Sequence, residues 1–104
     1  VFHDVWVELA PQLEGAAFLA AHNAQFDERV LHACCRTARL EPPDIPFRCT
    51  LQLVRKLLPG QPASLPAVCR KLGISLCHHD PVSDAEACAR LVIAASRKQF
   101  RIAT

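Results

Sequence analysis

The chain has 104 residues, 51% of them hydrophobic and 21% charged, a balance that suits a globular domain or a piece of one and excludes a disordered segment. A net charge of +2 and a pI near 8.3 are compatible with a polyanionic partner but do not argue for one. No run reaches the ~18 consecutive apolar residues of a membrane span, and the amino terminus has no targeting character, so no membrane partner and a cytoplasmic location are expected.

Val1, Val5, Leu9 and Leu13 recur at spacing four, with Phe2 and Trp6 beside them, and predict an amphipathic helix already under way at the first residue. Glu14-Gly15 ends it. The apolar run Ala16 to Ala21 predicts a short buried strand. His22-Asn23 turns the chain into a second helix, capped by Asn23, with Phe26, Val30 and Cys34 on one face. Glu41-Pro42-Pro43-Asp44 is a break, and Ile45 to Cys49 predicts a second strand with an edge-favouring Pro46.

Thr50 is placed to cap a helix of Leu51, Val54, Leu57 and Leu58. Ser64 is placed to cap another, of Leu65, Val68 and Leu72, closed by Gly73. A long final helix runs to about Lys98. Its start has two candidate caps: Asp80 with Pro81 at the first helical position, or Ser83 with Glu86 as a capping box. Two short strands make a poor sheet alone. An open strand edge near Phe18-Leu19 would favour self-association of the chain.

Six cysteines raise the question of disulfides, and their placement argues against them: Cys34 and Cys35 are adjacent, while Cys49, Cys69, Cys77 and Cys88 follow no scaffold rhythm. No C-x-x-C pair occurs, so a structural zinc site is not predicted. Reduced thiols are expected.

Two polar clusters stand out. His22-Asn23-Ala24-Gln25-Phe26-Asp27 lies where a strand passes into a helix, the place where α/β sheets usually hold ligands. His79-Asp80-Pro81-Val82-Ser83-Asp84 puts a histidine five residues ahead of an aspartate at a helix start. Capping and helix-dipole pairing explain either cluster taken singly. Together they supply carboxylates for divalent cations and an imidazole for water activation, the parts that two-metal phosphodiester hydrolysis needs.

The first cluster resembles the second motif of the DnaQ-like exonucleases, HNAxFD after a small apolar strand. The second resembles the third motif of their DEDDh subgroup, H-x4-D followed by Ala85. Between them, Phe47-Arg48-Cys49-Thr50-Leu51 is similar to the family's strand-to-helix segment, which usually has Asp where Cys49 stands. Ser64 to Cys69 and Leu72-Gly73-Ile74 are similar to its following helix. The resemblance spans nearly the whole chain and extends to the DNA polymerase III epsilon subunit family.

It implies an α/β, ribonuclease-H-like fold, a mixed sheet flanked by helices, present here as a carboxy-terminal portion over residues 1–104. It implies 3′→5′ removal of nucleoside 5′-monophosphates with two Mg²⁺ or Mn²⁺ ions. Asp27 and Asp84 match metal-site acids, and His79 the catalytic base. Asn23 and Phe26 match positions near the terminal nucleotide. The implied partner is a single-stranded or frayed 3′ end, most readily DNA, and the parent protein could attach to a polymerase. The alternatives are a ribonuclease of the same fold, or a non-catalytic nucleic-acid-binding or scaffold domain.

One departure matters. The family's first motif, D-x-E on the first strand, is absent, and Asp4 and Glu8 are spaced for the outer face of a helix instead. With half of the four acids, the 104 residues alone are expected to bind metal weakly and to be inactive or nearly so.

Overall fold

The computed structural model describes residues 1–97. Helix α1 (Phe2–Leu9) runs into a 3₁₀ turn at Ala10–Leu13, and Gly15, at φ +82°, takes the left-handed turn toward the first strand. Strand β1 (Leu19–Ala21), helix α2 (Ala24–Thr37) and strand β2 (Phe47–Cys49) form a β-α-β unit, followed by helices α3 (Thr50–Leu57), α4 (Leu65–Leu72) and α5 (Pro81–Ser96). The strands pair in parallel, with Leu19 opposite Phe47 and Ala21 opposite Cys49. A parallel pair needs a crossover, and α2 supplies it. Both carboxyl strand ends therefore lie side by side, each passing at once into a helix.

The described fold is thus α/β with a two-stranded parallel sheet. The further strands of a mixed sheet have no counterpart among the described residues, and neither β1 nor β2 carries an acid.

The core lies among the last three helices. Val54 and Leu58 of the α3 region, Leu65, Val68 and Cys69 of α4, and Ala87, Cys88, Leu91 and Ala94 of α5 form one buried cluster. Ala87, Leu91 and Ala94 fall on one helical face, and the two alanines let α5 pack closely. Burying Val54 and Leu91 completely contributes about 1.5–3 kcal/mol each.

Several expectations from periodicity need correction. In α1 the row Val1, Val5 and Leu9 faces solvent, and the buried residue is Trp6, stacked on Phe2 at 6.0 Å. In α2, Phe26 and Val30 are exposed, while Ala24 and Cys35 are buried. Both helices therefore bury a face rotated away from their most apolar stripe. Only Leu19–Ala21 of the expected strand is extended in a ladder, and it is half-buried, since no second strand shields its other edge among the described residues. The Cα radius of gyration, 15.1 Å, exceeds the about 13 Å usual for ~100 residues.

The caps are mixed. Ser64 accepts from the Ala67 N–H at 3.3 Å, and Gly73 closes α4 at φ +71°. Asp80 caps α5, accepting from Val82 N–H at 3.2 Å with Pro81 behind it, so the first of the two candidate starts holds. Ser83 is not the cap; its hydroxyl accepts from Cys77 N–H at 2.7 Å and anchors the His78–His79 loop to α5. Thr50 is the first residue of α3 rather than its cap. The predicted end of α5 near Lys98 lies outside the described residues, within which the helix runs to Ser96.

Candidate active site

The amino-terminal ends of α2 and α5 open onto one groove of about 830 Å³, whose walls include His22, Asp27, His78, His79, Asp84 and Cys88. Two motifs more than fifty residues apart in sequence thus meet. Asp27 stands in the first turn of α2 and Asp84 in the first turn of α5, each where the helix dipole favours a negative charge.

Asp84 is half-buried, and its Oδ1 is fully buried without a hydrogen-bond partner. His78 Nδ1 is near it at 3.5 Å but makes no hydrogen bond. An orphaned buried carboxylate oxygen is costly and calls for a partner. The acids have the chemistry for a divalent cation, but no three His, Cys, Asp or Glu side chains enclose an ion among the described residues. The arrangement fits part of a metal site.

His79 is exposed on the rim at φ +72°, a left-handed conformation that is costly for a residue with a Cβ. Its ring lies 3.9 Å from that of His78, tilted by 35°. His78 thus borders both the candidate base and the candidate ligand Asp84.

Cys49 stands where the resemblance leads one to expect Asp. Its thiol lies where α2 and α3 begin, accepting from Ala24 N–H at 3.5 Å. Burial pushes the thiol pKa up, but backbone N–H groups of Gln52, Ala24, Asn23 and Leu51 together bring it below the ordinary value. A sulfur acceptor here serves helix ends that an aspartate would also serve. The opposite holds for Cys35, Cys69 and Cys88, which burial pushes up. For Cys88 the negative charges of Asp84 and Asp27 add to burial, against hydrogen bonds from Thr50 and the His22 backbone, so one thiol feels both acids.

His22 is held at both ring nitrogens, by the Thr50 hydroxyl at 2.8 Å and the Ala63 carbonyl at 2.7 Å. Burial and the charge of Arg55 lower its pKa, outweighing the Ala63 hydrogen bond. Thr50, 28 residues away, is buried, and no sequence spacing links the two.

Asn23 and Phe26 do not line the groove. Asn23 sits at φ +73° without a side-chain cap bond, a backbone role that asparagine tolerates well, and Phe26 is 64% exposed. Asp4 is exposed, paired with the terminal amine and His3, and Glu8 is also exposed. No helix among the described residues is long and apolar enough to cross a membrane.

The chain is similar in sequence to known proteins. A family model described as Exonuclease (RNase_T) matches residues 1–92. Exodeoxyribonuclease 10 of Escherichia coli K12 is 35% identical over 97 residues, covering 85% of this chain, and its counterpart in Escherichia coli O6:H1 matches equally. The chain spans 39% of the length of these relatives. No solved structure matches significantly. With nearly its whole length matched and both motifs facing one groove, the chain belongs to the DnaQ-like exonuclease family.

Proposed function

We propose that this chain forms part of a metal-dependent 3′→5′ exonuclease that removes nucleoside 5′-monophosphates from DNA ends. The observation that carries the proposal is the shared groove of Asp27, His79 and Asp84. The curated relatives are named exodeoxyribonucleases, which favours DNA over RNA.

Asp27 and Asp84 would hold the cations, and Asp84 Oδ1 is the oxygen most in need of one. Mg²⁺ or Mn²⁺ bound there would polarise the scissile phosphate and stabilise the developing charge. His79, exposed on the groove rim, accepts the proton of the attacking water at a ring nitrogen. The water oxygen bonds to phosphorus as the P–O3′ bond breaks, and the strand retains its 3′-hydroxyl. The two remaining acids of the family's first motif have no counterpart on β1 or β2. The 104 residues alone therefore bind cations weakly and hydrolyse little.

The test is mononucleotide release from 3′-labelled and 5′-labelled DNA by the whole protein. Release from the 3′ end, abolished by EDTA and reduced about 10²–10⁴-fold in His79→Ala, supports the proposal. Full activity in EDTA, or in His79→Ala, refutes it. Matched RNA oligonucleotides decide between the DNA and ribonuclease readings.

A further inference from the structure

We propose that His22 is a positioning residue that keeps the Asp27 turn and the Asp84 helix in register; the inference rests on the exonuclease reading above. The imidazole sits between β1 and α2 and reaches two other segments. Its Nε2–H donates to the Ala63 carbonyl at 2.7 Å, in the loop ahead of α4. A carbonyl only accepts, so the neutral ring leaves Nδ1 to accept from the Thr50 hydroxyl at 2.8 Å.

The Thr50 proton is then committed to His22. Thr50 Oγ1 also touches the Cys88 sulfur at 3.8 Å, a contact that carries the link on to α5. A second link is more direct, since β1, which ends beside His22, packs against α5. Asp84 precedes Cys88 by four residues and shares its face of α5. Asp27 follows His22 by five residues, in the first turn of α2. Two links thus run from the root of one acid to the helix face of the other.

His22 also lines the groove, yet both its nitrogens are already engaged. It therefore cannot serve as the base, and its effect must pass through the groups it holds. A histidine that only filled space would alter stability and leave the metal requirement alone.

The experiment compares wild type, His22→Gln, Thr50→Val and the double variant in the whole protein. Oligonucleotide hydrolysis is followed across a Mn²⁺ titration, and Mn²⁺ binding is read directly by paramagnetic resonance. The expected result for His22→Gln is a kcat lower by about 10–100-fold, weaker Mn²⁺ binding, and a KM within about 2-fold. Thr50→Val keeps the volume, removes the Nδ1 partner and shifts the same quantities in the same direction. The double variant should fall short of the summed effects, because one hydrogen-bond chain is broken twice.

If His22→Gln does not fold, Thr50→Val decides. Wild-type kcat and Mn²⁺ binding in a folded variant, beside an active wild type, overturn the inference alone. A wild-type protein that binds Mn²⁺ and hydrolyses nothing overturns the exonuclease reading and the inference with it.

Discussion

Asp84 offers a test in which stability and activity move in opposite directions. Its Oδ1 is buried with no hydrogen bond, while its side chain as a whole is 31% exposed. Leaving a buried polar atom unpaired costs about 1–3 kcal/mol, and the partial exposure sets Asp84 toward the lower end. Asp84→Asn keeps the shape and removes the charge, so the part of the penalty owed to charge falls. A buried amide atom stays unpaired, and the 3.5 Å approach of His78 loses its ionic character. The same change removes a favourable interaction with the amino terminus of α5, a loss of about 0.3–1 kcal/mol. The difference is a net gain of at most about 0.7 kcal/mol, or a Tm higher by at most about 3–5 °C for a domain of this size. Thermal melts in EDTA read it. Saturating Mg²⁺ should then raise the Tm of the wild-type whole protein and leave the variant unmoved, because only a native state that binds the ion gains from it. Hydrolysis should be lost in the variant. An Asp84→Asn protein that melts below wild type in EDTA would show that the carboxylate serves the helix dipole with nothing to relieve.

Three further outcomes are expected. The pKa of His22 is lowered by burial and Arg55, so its neutral form is favoured by folding. That contribution is fully present above the ordinary histidine value and is lost as pH falls through the lowered one. Thermal melts should therefore show stability falling below about pH 6.5, with a shallower slope in His22→Gln. Cys49, whose thiolate is favoured by four backbone N–H groups, should be alkylated by iodoacetamide ahead of Cys35, Cys69 and Cys88, as read by peptide mass spectrometry; equal rates would refute the assignment. Finally, Val1, Val5, Leu9 and Phe18 are exposed, and the two-stranded sheet has open edges among the described residues, so the 104-residue chain is expected to self-associate. A monomer in sedimentation across the micromolar range would count against this.

The order of elements and the two polar clusters were legible along the chain, because both depend on local rules. Ser64, Gly73 and Asp80-Pro81 mark helix ends through bonds within a few residues. The placement of Asp27 and Asp84 in first turns follows from the same marks. Which helix face is buried was not legible. Val1, Val5, Phe26 and Val30 form good apolar stripes and still face solvent, since burial depends on what packs opposite. The roles of Asn23 and Thr50 also changed, one to a left-handed turn and the other to a buried hydroxyl, because φ and long-range partners leave no periodic trace.

Residue types and local spacing were enough to specify the candidate chemistry: carboxylates at two helix starts and an imidazole ahead of one of them. Tertiary structure decided how those pieces meet. A parallel strand pair sets Ala21 beside Cys49, so the helices that follow start from one end of the sheet. Packing of α5 then opens its first turn onto the groove that Asp27 shares. The same packing leaves Asp84 Oδ1 without a partner and threads His22, Thr50 and Cys88 into one hydrogen-bonded chain. Contacts between residues 28 and 38 positions apart arise only when the whole chain is folded, because no local preference brings such groups within hydrogen-bonding distance.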